Sequence, residues 1–179
     1  GEVRDVDTAR MAIQSSLTGH LVFSTLHTND SAGAISRLLD LGVEPYLASS
    51  SLIAIMAQRL VRKICPDCRQ EYTPTAHELR ELGLLDIDSG QSRGHKFFVG
   101  AGCERCFQTG YRGRTGVYEL MMVNEKIQEL IYERTSAGAI KKLALEAGLQ
   151  TLRMDGARKV LNGTTTIAEV LRVTQADIL

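Results

Sequence analysis

Four cysteines have the spacing to hold one ion. ICPDCRQ supplies Cys65 and Cys68, AGCERCFQ supplies Cys103 and Cys106, and 34 residues separate the two C-x-x-C pairs. A C-x-x-C turn aims two thiolates at one tetrahedral metal, and two such turns close a four-sulfur zinc site, although this gap exceeds the usual spacing. Disulfides need an oxidising compartment to which nothing in the sequence points, and a redox dithiol needs only one pair. Zn²⁺ in a structural role, with no open coordination position, is the expectation. Arg62, Lys63, Arg69 and Arg105 are placed to offset the charge of four thiolates.

The second chemical stretch is GHLVFSTLHTND, residues 19–30, with His20 and His27 around an apolar run. If extended, these histidines lie up to about 23 Å apart, and their odd offset puts the side chains on opposite faces. They then share neither a metal nor a catalytic dyad. In an open α/β sheet ligands bind at the carboxyl ends of the strands, which favours His27, followed by Thr28, Asn29 and Asp30. The competing reading is that each histidine merely hydrogen-bonds a neighbouring turn. Glu2, close to the first residue, reads on its own as a solvated surface acid.

These residues need elements to hold them. Residues 7–18 place Ala9, Ala12, Ile13 and Leu17 at helical spacing, with Asp7 or Thr8 as the cap. LVFSTL (21–26) reads as a buried strand, AGAISRLLDLG as a helix capped by Asn29, Asp30 or Ser31, and Pro45 as the start of a third helix through about Ala57. Helix, strand, helix, helix with short connections reads as part of an α/β layer fold. From Arg59 to Gly116 the texture becomes loop-rich, with all four cysteines, eight glycines and one short helix at AHELRELG. NEKIQELIYE, SAGAIKKLALEAG, TLRMDGARKVLNG and TTTIAEVLRVT then read as capped helices. The expected division is 1–58 for the α/β part, 59–116 for the tetracysteine part and 117–179 for a helical C-terminal module.

The chain has 179 residues, 44% of them hydrophobic, enough for a real core. Basic and acidic residues number 21 each, so no global field draws it to nucleic acid or anionic lipid. The longest nearly apolar stretch, YLASSSLIAIMA, has 12 residues and is too short to cross a bilayer. No charged and then apolar leader opens the sequence. It begins GEVRDVDTARMAIQ, without methionine and already in a helical pattern, and is expected to be a fragment of a longer chain. Arg112 and Arg114 in GYRGRTG raise the alternative of a zinc ribbon on nucleic acid, which the balanced charge and scarce aromatics disfavour.

GEVRD, TGHLVFSTLHTND, AQRLVRKICPDC, GCERC and GYRGRTGVYEL, in this order, resemble the bacterial secretion and pilus-assembly ATPases, in particular the type II secretion and type IV pilus extension members. The resemblance covers essentially the whole chain. It implies part of a RecA-like P-loop core downstream of Walker A, a four-cysteine zinc subdomain that retraction ATPases lack, and a helical end. Gly1 to Asp5 would be the tail of the Walker B segment, with Glu2 polarising the attacking water directly or through Mg²⁺. His20 and His27 would belong to the family's histidine box, with His27 sensing the γ-phosphate of ATP, and Arg114 would reach the nucleotide. The resemblance further implies a homo-hexamer in the full-length protein, on the cytoplasmic side and peripheral to the inner membrane. Its partners there would be inner-membrane platform and cytoplasmic-face proteins of a secretion or pilus machine, with no nucleic acid.

Phosphoryl transfer also needs an amide cradle, a lysine on the phosphates and a hydroxyl on Mg²⁺, and no G-x-x-x-x-G-K-[ST] occurs. By itself this chain is expected to be inactive. The alternative from a different class is a zinc-stabilised module that docks to membrane-anchored machinery.

Overall fold

The computed structural model describes residues 1–84 and 95–175. They form two compact units: Gly1–Ala57 with Glu119–Gln150, and the described residues of 58–118 with those from Thr151 onward. This grouping cuts across the sequence blocks 1–58, 59–116 and 117–179.

In the first unit, α1 (Val6–Leu17) is capped by Asp5, whose side chain accepts from Thr8 N, rather than by Asp7 or Thr8. Helix α2 (Ser31–Asp40) is capped by Asp30, which accepts from Gly33 N. Helix α3 (Pro45–Ser51) starts at its proline but stops well short of Ala57. Two physical reasons are visible. Ser50 and Ser51 turn their hydroxyls back onto Tyr46 O (2.7 Å) and Leu47 O (2.6 Å), a bond that competes with helix propagation. The following AIMAQRLVRKI is taken by strand β1 (Ala54–Ile64). Helices α5 (Glu125–Tyr132) and α6 (Ala137–Glu146), capped by Asn124 and Ser136, complete this unit. Ile35, Met121, Ile127, Ile131 and Ile140 are central in its core.

The expected strand at 21–26 is reduced to a single parallel bridge between Thr25 and Glu2. Leu21 and Phe23 are 70% and 83% exposed. A fully apolar parallel strand is stable when neighbours cover both its faces, and one bridge with residues 1–3 does not provide that.

Strand β1 pairs with β4 (Tyr111–Met122). Val123 N donates to Ile53 O and Cys65 N to Gly110 O, both at 2.9 Å, so the strands run antiparallel. The chain leaves the first unit within β1 and returns to it within β4. The stretch from Arg59 to Gly116 therefore carries long strand segments where loops are expected from its composition. In the second unit β2 (Arg69–Tyr72) pairs antiparallel with β3 (Phe97–Gly100), Arg69 opposite Gly100. Helix α4 (Ala76–Glu81) has a full capping box between Thr75 and Glu78. Helices α7 (Leu152–Leu161) and α8 (Ile167–Val173) join Leu82, Leu84 and Phe97 in a second core around Val160, Ile167 and Val170.

Candidate functional site

In the first unit residues 1–3 lie alongside 24–26. Val3 N donates to Thr25 O at 2.9 Å and Ser24 Oγ to Gly1 O at 3.3 Å. That alignment brings Glu2 and His27 together: His27 Nε2 is 2.6 Å from Glu2 Oε1. Arg4 holds the other carboxylate oxygen, with Nε at 2.8 Å and its terminal nitrogen at 2.6 Å. The Arg4 hydrogen bond outweighs partial desolvation and keeps the Glu2 carboxyl below the ordinary carboxylate range, with the charges of Arg4 and His27 acting in the same sense. Glu2 Oε1 is shut off from solvent and receives no well-directed hydrogen bond, so it faces His27 as an ion pair whenever the imidazole is protonated. The imidazole itself is 90% exposed. An ionised carboxylate against an open imidazole is a pair able to accept a proton from water at the surface.

His20 is elsewhere in its bonding. Its Nδ1 is 3.2 Å from both Ser15 O and Thr18 Oγ1, and its backbone N donates to Ser15 O, closing the last turn of α1. Arg114 lies exposed on β4 within the second unit.

The second unit gathers the four cysteines. Their Sγ atoms all lie within 4.8 Å of one another. Cys65 to Cys103 and Cys68 to Cys106 are 3.9 Å, and Cys103 to Cys106 is 3.7 Å. A tetrahedral zinc with Zn–S near 2.3 Å requires sulfur–sulfur edges of about 3.8 Å, so the donor set fits that ion. Each pair sits on a short 3₁₀ turn, Pro66–Cys68 and Glu104–Cys106. Backbone amides serve the sulfurs: Cys103 N is 3.2 Å and Gly110 N 3.3 Å from Cys106 Sγ. Burial pushes the Cys68 thiol up to about 12 and Cys103 upward as well. Burial works the same way on Cys106, but the amides of Cys103 and Gly110 bring it down to about 6.

The arginines expected near the thiolates bond to other groups, in the case of Arg105 to a carboxylate within the first knuckle. Arg105 pairs with Asp67 at 2.9 Å, Arg62 with Glu169 at 2.6 Å, and Arg69 stacks 3.5 Å over the Phe98 ring. Amide dipoles, rather than guanidinium charge, are the groups directed at sulfur.

Two glycines make the knuckles' approach feasible. A Cβ at Gly100 would stand 2.0 Å from Gly110 O. Gly110 has φ +75° and offers its amide to Cys106, so this contact admits no side chain on either partner.

Two buried acids escaped the sequence reading. Glu119, 2% exposed, accepts from Ser31 N at 2.9 Å and closely from Ser31 Oγ. The strand alternation Val117, Glu119, Met121, Val123 on the buried face was the available signal. Glu169, 1% exposed, accepts from Arg62 N at 2.9 Å and from Arg172 Nε at 2.9 Å, with Arg62 completing the cluster. Its carboxyl is buried, yet these arginine contacts carry it down to about 2.

The fold is similar to that of two solved ATPase structures. The pilus retraction motor PilT with bound ADP superposes with a TM-score of 0.62 at 23% identity, covering 97% of this chain and 38% of PilT. The ATPase DotB of Legionella pneumophila gives 0.61 at 16% identity, over 97% of this chain and 37% of its own.

The chain belongs to the type II/IV secretion system protein family, whose family model matches residues 1–172. Type II secretion system protein E of Aeromonas hydrophila is 48% identical over 177 residues, 99% of this chain and 34% of the relative. Type IV pilus assembly ATPase PilB of Thermus thermophilus is 47% identical over 171 residues, 96% of this chain and 19% of PilB. The chain thus spans about a third of the type II relative's length and less of PilB. Among the described residues no helix is long and apolar enough to cross a membrane.

Proposed function

We propose that this chain is the downstream part of a hexameric ATPase that couples ATP hydrolysis to assembly of a type II secretion pseudopilus or a type IV pilus. The parent would work on the cytoplasmic side, peripheral to the inner membrane, against platform and cytoplasmic-face proteins. The observation that carries the reading is the Glu2–His27 contact of 2.6 Å in a chain of this family. Glu2, kept ionised by Arg4, is suited to polarise a water, alone or with Mg²⁺. His27, exposed and tethered to that carboxylate, is suited to report an arriving γ-phosphate. His20 closes α1 and is a box member in a supporting role, and Arg114 is retained as a nucleotide contact of the parent. Cys65, Cys68, Cys103 and Cys106 would hold Zn²⁺, which supplies a cross-link between the two knuckles of segment 59–116.

The test is hydrolysis by the full-length parent. Glu2→Gln and His27→Ala should each lower turnover by roughly 100-fold, the usual reach of a lost acid–base group. Unchanged turnover in His27→Ala together with lost binding to membrane-anchored partners would favour the docking module instead. The 179-residue chain alone should not turn over ATP, because its sequence holds no phosphate-cradling G-x-x-x-x-G-K-[ST] loop.

A further inference from the structure

We propose that Glu119 is a positioning residue for the Glu2–His27 pair, acting through Ser31 and the turn formed by residues 28–31. The proposal rests on the reading of that pair given above. A carboxylate that is 2% exposed is costly to bury, and an apolar side chain in its place would normally pack at lower cost. What the Glu119 carboxyl does there is specific: Ser31, fully buried, gives it both the backbone amide and the hydroxyl. Ser31 N–H is one of the amides that a helix leaves unpaired at its start, and here it is claimed from β4 rather than by the local cap. The local cap is Asp30, which accepts from Gly33 N at 2.8 Å and is 3.5 Å from Lys141 Nζ on α6. Thr28 Oγ1 donates to Asp30 O at 3.1 Å, closing the turn.

His27 stands immediately before this turn, and two residues before His27 is Thr25, bridged to Glu2. Its ring is 90% exposed, so packing cannot orient it. Besides its contact with Glu2, the direction of the imidazole depends on the backbone on either side: the Thr25 bridge upstream and the 28–31 turn downstream. Of the side chains holding that turn, Glu119 reaches in from a strand distant in sequence. A change in β4 would therefore be felt at His27 without any contact between Glu119 and His27.

The experiment uses the whole chain with ¹³C-labelled histidine and follows the His27 imidazole Cε1–H signal by NMR. Glu2→Gln serves as the reference and should move this signal. Glu119→Ala should move it by a comparable amount, Glu119→Gln should stay near the wild-type position because its carbonyl still accepts from Ser31, and Ser31→Ala should give an intermediate shift. If Glu119→Ala fails to fold, Ser31→Ala, a small change at a buried hydroxyl, carries the test alone. A His27 signal that moves in Glu2→Gln but keeps its wild-type position in Glu119→Ala and Ser31→Ala overturns the positioning role and leaves the pair intact. A signal indifferent to Glu2→Gln removes the pair, and with it both the functional reading and this inference.

Discussion

Glu169→Gln should destabilise the second unit at neutral pH and flatten its acid response. The carboxylate is 1% exposed, accepts from the backbone and guanidinium of Arg62 and from Arg172, and is carried from an ordinary 4.5 to about 2. At about 1.4 kcal/mol per pH unit that difference corresponds to about 3 kcal/mol of stability. The Arg62 and Arg172 side chains are 46% and 55% exposed, so solvent screening reduces it to about 2 kcal/mol. The sign follows from linkage. A carboxyl with a depressed folded value contributes fully above the unfolded value, here near 4.5, and its contribution disappears as pH falls toward 2. Glutamine keeps the shape and loses the charge. The expected result is a loss of about 2 kcal/mol at pH 7, or a melting shift of roughly 8–16 °C in a unit of this size, and convergence of variant and wild type near pH 2. Urea melts followed by far-ultraviolet circular dichroism at stepped pH read this difference, and acids titrating in both proteins cancel from it. Two curves that stay parallel from pH 7 to pH 2, or a difference below about 0.5 kcal/mol at pH 7, would refute the reasoning.

Two further outcomes follow from the cysteine knuckles. The purified chain should contain one zinc, measurable by plasma mass spectrometry, and removing it with a chelator should abolish amide protection around residues 65–68 and 103–110 while α5 and α6 of the other unit stay protected, as hydrogen exchange would show. Gly110→Ala should lower metal content and cost at least about 2 kcal/mol, because alanine at φ +75° is strained and its Cβ would lie 2.5 Å from Gly100 O. Full zinc occupancy with unchanged stability in Gly110→Ala would contradict the close approach.

Local chemistry explains what could be read from the sequence. Asn124, Ser136, Thr151 and Thr166 each accept the amide three residues on, so a short polar side chain before an apolar period was enough to place α5 to α8. The cysteines announce themselves by spacing, and their sulfurs meet. Strands β1 and β4 were hidden because AIMAQRLVRKI fits either period, and its partner lies far along the chain, beyond the reach of a local window. Glu2 and His27 are 25 residues apart and meet through one parallel bridge, which no spacing rule announces. Glu169 was illegible for a similar reason, since a lone Glu reads as surface until its long-range donor Arg62 is in place, and the alternation that marks Glu119 has meaning only once β4 is known to be a strand.

The manner in which the second unit is assembled limits how this protein can be recombined. Arg62 finds its carboxylate in α8, Tyr111 shares a hydrogen bond of 2.9 Å with Thr166, and the Arg69 guanidinium fits where a Cβ on Gly163 would stand 2.3 Å from it. Grafting the tetracysteine segment alone into a relative without it would strand each of these side chains, and deleting it would leave α7 and α8 without half their core. A transferable cassette must exchange residues 58–118 and 151–173 together, two replaced segments rather than one insertion.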